Sequence, residues 1–282
     1  MATIIAVIGA GTMGSGIAQI AAAAGYAVKL IDTRASALDS ARHAIAHSLS
    51  RLVKKVVLNQ AAADAVAQRI ESAAELGAAS AADVVIEAIF ENELAKLETW
   101  ARLSAICSES ALFASNTSSI SITKMASGVK RPERFVGLHF FNPVPVMKLV
   151  EVVRGNRTSD ETVGAALELA RTMGKTAVEA RDYPGFVSNR VLMPMINEAI
   201  FCVYENVATP AAIDEIMKLG MAHPMGPLAL ADFIGLDICL AIMDVLQQGF
   251  GDSKYRACPL LRQMVAAGKL GKKSGEGFYR YP

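Results

Sequence analysis

Residues 4–14 read IIAVIGAGTMG, an apolar run that stops at a G-x-G-x-x-G pattern, and residues 15–24 continue as SGIAQIAAAA. This order predicts a strand, a tight turn and a helix. The three glycines would permit, in order, the turn, the close approach of a pyrophosphate and the packing of the helix on the strand. The first N–H groups of the helix would then bind the phosphates of a dinucleotide. We expect cofactor contacts from Gly9, Gly11, Thr12, Met13 and Gly14.

The residue that ends the next apolar run indicates which dinucleotide is bound. Residues 27–31 read AVKLI and are followed by Asp32. A carboxylate at this point can accept hydrogen bonds from the adenosine ribose diol, and it would repel the 2′-phosphate of NADP. The position therefore favours NAD as the cofactor. Arg34 is two residues away and could attract that phosphate, so the strictness of the preference stays open.

The composition is that of a well-buried globular protein. Of the 282 residues, 52% are hydrophobic and 20% are charged, and the formal net charge is +1. A chain this close to neutrality has no general electrostatic attraction to nucleic acid or to anionic membranes, so we expect neither as a partner. The four cysteines form no C-x-x-C pair, and no signal-like segment precedes Ile4. These features favour free thiols in a reducing compartment and a cytoplasmic protein.

An alternation of strand-like and helical patterns dominates the chain up to residue 184. Such an alternation is typical of a parallel sheet that is covered by helices on both faces. After Asp32, a long helix over 36–57 and a second helix over 61–70 predict a helical hairpin inserted into this pattern. We therefore predict an α/β Rossmann-type N-terminal domain with a helical-hairpin insertion at residues 1–184.

Only helical patterns follow, so residues 185–282 are predicted to form an all-α C-terminal domain. The predicted helices lie near 186–206, 210–219, 228–247 and 260–267. The first of them is apolar on nearly every face, which implies burial on all sides. Because a small helical domain cannot cover all of this surface by itself, we expect a homodimer formed through it.

One of the four histidines has a setting that suggests catalysis. His139 is in a predicted strand over 134–141, Glu151 is in the next strand over 148–153, and the residues between them read as a turn. The midpoint of positions 139 and 151 falls in that turn, so a hairpin would place both side chains directly opposite on one face. A carboxylate there fixes the histidine tautomer and stabilises the imidazolium, as a general base for a hydroxyl requires. A salt bridge on the sheet surface is the alternative.

Two further polar segments could serve a ligand. Ser118 follows a predicted strand, where α/β sheets bind ligands, although a serine of this segment could instead cap the next helix. Asn189 is a polar residue in an apolar helix, and we expect it to face a cleft at the domain junction. His43 and His47 are four residues apart on a predicted helix, but they have no evident third ligand, so we expect solvated side chains and no metal site.

Together these motifs resemble the L-3-hydroxyacyl-CoA dehydrogenases, and most closely the short bacterial 3-hydroxybutyryl-CoA dehydrogenases. The resemblance spans the chain from the glycine turn onward. The segments that carry it, besides Ser118, are LHFFNPVPVMKLVEVV over 138–153, GFVSNR over 185–190 and GKKSGEGFY over 271–279. In combination these segments are highly specific.

The resemblance implies a role for each matching position. His139 is similar to the base that takes the 3-hydroxyl proton, with Glu151 as its partner, and Ser118 and Asn189 match groups that hold the substrate oxygens. The positions that match cofactor contacts are Asp32, Glu91, Lys96, Ser118, Asn142 and Lys273. The positions that match coenzyme A contacts are Ser48 and Lys55. Relatives often carry Lys-Gly where this chain has Val56-Val57, so the match is less close there.

The resemblance implies the reversible oxidation of an (S)-3-hydroxyacyl-CoA by NAD⁺, with 3-hydroxybutyryl-CoA as the expected substrate. A dicarboxylyl thioester such as 3-hydroxyadipyl-CoA stays an alternative, and the pathway, for which fatty-acid metabolism is one candidate, stays open. A decarboxylating β-hydroxyacid dehydrogenase is disfavoured, because those relatives rely on a lysine in the helical domain. A crystallin-like NAD-binding protein without activity is disfavoured because Ser118, His139, Glu151 and Asn189 are all present.

Overall fold

The computed structural model describes residues 3–282. The chain divides into two compact units, Met1–Asp182 and Tyr183–Pro282. The first unit is α/β and the second is built from helices, so the predicted fold class is confirmed. The sequence predicts the change of architecture between residues 184 and 185. The first two residues of the predicted domain 1–184 lie outside the described residues.

Eight strands of the first unit form one sheet. The strands are β1 (Ile4–Ile8), β2 (Ala27–Ile31), β3 (Ile70–Ala73), β4 (Val84–Glu87), β5 (Leu112–Ser115), β6 (Phe135–Phe140), β7 (Leu149–Arg154) and β8 (Thr176–Arg181). Their order is β3-β2-β1-β4-β5-β6-β7-β8, and every neighbouring pair is parallel except β6 with β7. The carboxyl ends of β1, β4, β5 and β6 therefore share one edge with the amino ends of β7 and β8. The strand order reverses between β1 and β4, which is where sheets of this type bind ligands.

Six α-helices lie between these strands in the described part of the first unit. They are α1 (Thr12–Ala23), α2 (Ala35–Lys54), α3 (Gln60–Gln68), α4 (Glu93–Ile106), α5 (Ile122–Ala126) and α6 (Asp160–Thr172). Helices α2 and α3 form the predicted hairpin. The helix predicted over 61–70 is too long at its end, because Ile70 already begins β3 and pairs with Val28 of β2. The sequence pattern of residues 70–73 does not predict a strand, because these residues become one only through hydrogen bonds to β2.

The second unit contains five α-helices among its described residues. They are α7 (Ser188–Tyr204), α8 (Pro210–Gly220), α9 (Pro227–Ile234), α10 (Leu236–Phe250) and α11 (Pro259–Ala266). The single helix predicted over 228–247 is wrong, because Gly235 has a φ of +106° and separates α9 from α10. A helix cannot continue through that backbone conformation. Within residues 3–282, no helix has both the length and the apolar character needed to cross a membrane.

The tip of the helical hairpin holds a strained residue. Val56 follows α2 with a φ of +58°, and it is 89% exposed. The N–H groups of Val56 and Val57 donate to the carbonyl oxygens of Val53 and Leu52, at 2.9 and 3.0 Å. This is the helix-ending motif in which glycine is preferred at the position of Val56. A β-branched residue in this conformation costs about 1–3 kcal/mol, and an exposed side chain gains little burial to offset that cost.

Replacing Val56 with glycine is therefore expected to stabilise the protein. We expect Val56→Gly to raise the free energy of unfolding by about 1 kcal/mol, because the relief of strain exceeds the added freedom of glycine in the unfolded chain. Val57→Gly is the matched control, since Val57 is also exposed but has no positive φ. Denaturant unfolding should show the control to be less stable than the parent. A loss of stability in Val56→Gly would contradict the account.

Candidate active site

The glycine turn between β1 and α1 has the shape of a phosphate cradle. Gly9 has a φ of +101°, and a Cβ on it would lie 2.6 Å from the carbonyl oxygen of Ala88. A Cβ on Gly14 would lie 1.8 Å from the carbonyl oxygen of Gly9, whereas a Cβ on Gly11 would meet no atom within 4 Å. Packing therefore requires the two outer glycines, and Gly11 borders open space that a pyrophosphate could fill.

A cavity of about 790 Å³ extends from this turn. Its walls include the glycine turn, Asp32 after β2, and Ile89 and Phe90 after β4. The cavity has the size of a small-molecule site, for which about 300–1,000 Å³ is common. Helix α1 begins here without a hydrogen bond from a capping side chain, which suits an anion as the partner of its first N–H groups. The residues at this edge therefore fit a dinucleotide.

Asp32 is held in place at the ribose end of the cavity. Its Oδ2 accepts a hydrogen bond from the N–H of Ala10 at 2.9 Å, and its Oδ1 accepts from the N–H of Arg34 at 2.9 Å. Burial acts to raise the pKa of Asp32, but these N–H groups and the Arg34 guanidinium outweigh it and lower the pKa below its usual value. The Arg34 Nε lies 3.4 Å from the same carboxylate. The Asp32 carboxylate is thus charged and held in place, and Arg34 is turned toward it. Such a carboxylate can accept the hydrogen bonds of the ribose diol of NAD.

Glu91 organises the loop that carries Ser118. Its Oε1 accepts hydrogen bonds from the Thr117 hydroxyl at 2.6 Å and from the N–H of Ser118 at 2.9 Å, and the Ser118 hydroxyl lies 3.3 Å away. Burial acts to raise the pKa of Glu91, but Lys96, Thr117 and Ser118 outweigh it and lower the pKa. Glu91 is thus a charged anchor for two neighbouring loops at the carboxyl ends of β4 and β5.

The ammonium group of Lys96 is completely buried between two carboxylates. Its Nζ lies 2.6 Å from Oε1 of Glu87 and 3.2 Å from Oε2 of Glu91. Glu87 also accepts hydrogen bonds from the Ser115 hydroxyl at 2.6 Å and from the N–H of Ile89 at 2.8 Å. Glu87 is not among the site residues predicted from the sequence, although its position as an acid at the end of an apolar strand is a signal that could have found it. Direct contact of Glu91 or Lys96 with a cofactor stays a prediction.

His139 and Glu151 face each other across β6 and β7. The strand register pairs these two residues directly, as the hairpin argument predicts. His139 Nδ1 lies 2.7 Å from Oε2 of Glu151, and both residues are buried, with 7% and 4% of their surfaces exposed. The ring of Phe141 lies 4.5 Å from the imidazole ring, between centroids. A buried pair of this kind is costly unless it is hydrogen-bonded, and it differs from the surface salt bridge that was the alternative.

The remaining predicted site residues lie in several places. Ser118 and Asn142 follow β5 and β6, so they share the edge of the sheet with the glycine turn. Ser48 is half-buried in α2, and Lys55 is exposed just after it. Asn189 and Lys273 belong to the second unit, where Asn189 is buried in the first turn of α7. The Lys273 ammonium lies 2.6 Å from the carboxylate of Asp237.

One interaction outside the predicted set joins the loop that follows β5 to the last residue of β6. The side-chain oxygen of Asn116 accepts a hydrogen bond from the N–H of Phe140 at 2.9 Å. This bond fixes the backbone next to His139 relative to the Ser118 loop. His43 and His47 are exposed on α2, and residues 3–282 hold no group of three or more His, Cys, Asp or Glu side chains that could bind a metal ion.

Two family models together match almost the whole chain. The model of the 3-hydroxyacyl-CoA dehydrogenase NAD binding domain matches residues 4–183, and that of the 3-hydroxyacyl-CoA dehydrogenase C-terminal domain matches residues 185–281. A protein of Bacillus subtilis named "Probable 3-hydroxybutyryl-CoA dehydrogenase" is 58% identical over 98% of this chain and 96% of its own. A 3-hydroxybutyryl-CoA dehydrogenase of Bradyrhizobium diazoefficiens is 50% identical over 98% of this chain and 94% of its own.

A solved structure is similar over the whole length. The crystal structure of (S)-3-hydroxybutyryl-CoA dehydrogenase from Ralstonia eutropha superposes with a TM-score of 0.97 at 48% identity, and the alignment covers 100% of both chains. The chain therefore belongs to the 3-hydroxyacyl-CoA dehydrogenase family, and it is an NAD-dependent enzyme of that family. The family and the cofactor that the sequence predicts are both confirmed.

Proposed function

We propose that the protein catalyses the reversible oxidation of (S)-3-hydroxybutyryl-CoA to acetoacetyl-CoA with NAD⁺, as a reaction of fatty-acid metabolism. The observation that carries the proposal is the buried His139–Glu151 hydrogen bond near the edge of the sheet that also bears the dinucleotide turn. Family membership supports a 3-hydroxyacyl-CoA as the substrate. The names of the similar proteins support a chain of four carbons.

His139 carries the proton chemistry in this proposal. Its Nδ1 is bound to Glu151, so Nε2 would take the proton of the 3-hydroxyl group while the carbinol becomes a carbonyl. Glu151 keeps the imidazole in the required tautomer and stabilises the imidazolium that forms. NAD⁺, when bound, accepts the hydride from C3. In the direction of reduction, the imidazolium returns its proton to the carbonyl oxygen.

The other positions take their roles from the match to the family. Ser118 and Asn189 would hold the substrate oxygens, and Ser48 and Lys55 would contact coenzyme A. The two contacts that Glu91 makes with Ser118 support a fixed position for that serine. Cofactor contacts are proposed for the glycine turn and for Asp32, Glu91, Lys96, Ser118, Asn142 and Lys273.

Turnover of acetoacetyl-CoA with NADH tests this function. We expect the protein to reduce acetoacetyl-CoA but not free acetoacetate, and to prefer acetoacetyl-CoA over 3-oxoadipyl-CoA in kcat/KM. His139→Ala should lower kcat by about 10²–10⁴-fold, because general acid–base catalysis contributes that much, while NADH still binds. His43→Ala, which changes an exposed histidine on α2, is the matched control. An unchanged kcat in His139→Ala would refute the role of His139, and a preference for 3-oxoadipyl-CoA would assign the dicarboxylyl alternative.

We also propose that the second unit forms a homodimer. Large apolar side chains stand exposed on it, among them Val207, Ile216, Leu219, Met221 and Phe233, each with more than half of its surface exposed. Ile216 and Leu219 are three residues apart on α8 and therefore lie on one face of that helix, and contiguous exposed apolar surface marks an interaction site. A second copy of the same chain would cover them in a symmetric arrangement.

Light scattering after gel filtration measures this assembly. We expect a mass of twice the 29.8 kDa chain for the parent protein. Leu219→Asp should shift the mass toward one chain, because a buried carboxylate without a partner opposes association. Leu94→Asp is the control, since Leu94 is also exposed but lies in the first unit. A parent protein with the mass of a single chain would contradict the proposal.

A further inference from the structure

Lys175 is a buried lysine with no part in the chemistry described above. It immediately precedes β8, at the sheet edge shared with the carboxyl end of β6, and only 9% of its surface is exposed. Its Nζ donates to the carbonyl oxygen of Val144 at 2.5 Å and to that of Met147 at 2.8 Å. Burial lowers the pKa of Lys175. A buried ammonium group is costly unless it donates hydrogen bonds. The two bonds of Lys175 to backbone carbonyl groups are therefore strongly favoured.

Both acceptors lie in the loop that joins β6 to β7. This loop spans residues 141–148, and within it the N–H groups of Val146 and Met147 both donate to the carbonyl oxygen of Pro143 at 2.9 Å. Only 2% of the surface of Val144 is exposed, whereas Asn142 is exposed to solvent. The loop is therefore a compact turn, fixed to the unit by a buried side chain and by the ammonium of Lys175.

The same loop packs against the helix that follows the glycine turn. A Cβ on Gly16 of α1 would lie 2.8 Å from Cβ of Val144 and 3.2 Å from its Cγ2. The backbone of α1 thus lies so close to Val144 that any residue other than glycine at position 16 would collide with it. Residues 142–147 of the loop are consequently held by two sets of contacts, one from Lys175 to the carbonyl groups and one from α1 to the side chain of Val144.

We propose that Lys175 is a positioning residue for the cofactor, which acts through this loop by holding Asn142 beside the dinucleotide turn. The inference rests on the proposed function, in which Asn142 contacts NAD. Without the ammonium, the carbonyl oxygens of Val144 and Met147 lose their hydrogen-bond donor. Because an unpaired buried carbonyl is costly, the loop then moves away from its buried position. Asn142 then moves relative to α1, and displacements of about 1 Å are enough to impair a binding or catalytic geometry.

Lys175→Met tests the inference, because methionine fills similar space without donors or charge. We expect kcat/KM for NADH to fall by on the order of tenfold and the Kd for NADH, measured by its fluorescence, to rise in parallel. The KM for acetoacetyl-CoA should stay close to that of the parent. Lys130→Met is the matched control, since it changes an exposed lysine near the amino end of β6. NADH binding by Lys175→Met equal to that of the control would overturn the proposal.

Two further variants separate positioning from a purely structural role. Lys175→Arg keeps charge and donors and should restore part of the NADH affinity. Gly16→Ala places a Cβ against the side chain of Val144, so its loss of NADH affinity should not add to that of Lys175→Met, because both act through one loop. Additive losses, or a lower Tm with unchanged NADH affinity, would contradict positioning. If Lys175→Met does not fold, the NADH affinity of Gly16→Ala tests the proposal instead. An affinity equal to that of the parent would refute the role of the loop.

The failure of this proposal is distinguishable from a failure of the proposed function. NADH binding is measured without turnover, so it reports on the loop even if acetoacetyl-CoA is not the substrate. A parent protein that binds NADH but does not reduce acetoacetyl-CoA would refute the proposed substrate alone. Asn142→Ala with parent-like NADH affinity would refute the contact through which Lys175 is proposed to act.

Discussion

The hydrogen bond between His139 and Glu151 depends on the register of one antiparallel strand pair. Among the neighbouring pairs of the eight described strands, only β6 and β7 are antiparallel, and their register sets residue 139 opposite residue 151. A slip by one residue would move one of the two side chains to the other face of the sheet. The loop between the strands carries none of the proton chemistry, but it helps to fix that register. Buried Val144 and the bonds from Lys175 therefore bear on the site indirectly.

Carboxylates that accept several hydrogen bonds hold the irregular segments of both units. In the first unit, Asp32 binds the N–H groups of Ala10 and Arg34, and Glu91 binds the loop with Ser118. In the second unit, Asp214 accepts from the N–H of Leu228 at 2.8 Å at the start of α9. A carboxylate can accept several hydrogen bonds at once, so one side chain satisfies backbone groups that no strand or helix would pair. The loops that carry the site are thus fixed without regular structure.

The parts of the site that sequence reasoning predicts are those set by short-range rules. The glycine turn follows from a strand, three glycines and a helix, and the opposition of His139 and Glu151 follows from the symmetry of a hairpin. The contacts of the buried Lys96 with Glu87 and Glu91 do not follow from such rules, because these side chains meet only after a strand and a helix have packed. For a similar reason, the sequence does not predict the short edge strand that begins at Ile70 or the helix break at Gly235. One depends on a neighbouring strand, and the other on a backbone conformation that an apolar pattern does not reveal.

The central claim is that His139 and Glu151 act as one unit, and a double-mutant cycle on kcat tests it most directly. Acetoacetyl-CoA reduction would be measured at saturating NADH for Glu151→Gln, for His139→Gln and for the double variant, each checked for an unchanged Kd for NADH. We predict that Glu151→Gln lowers kcat by about a hundredfold and that the double variant is no slower than His139→Gln, since groups that act together lose their effect together. A parent-like kcat in Glu151→Gln, or a double variant slowed by the product of the two single effects, would contradict the account.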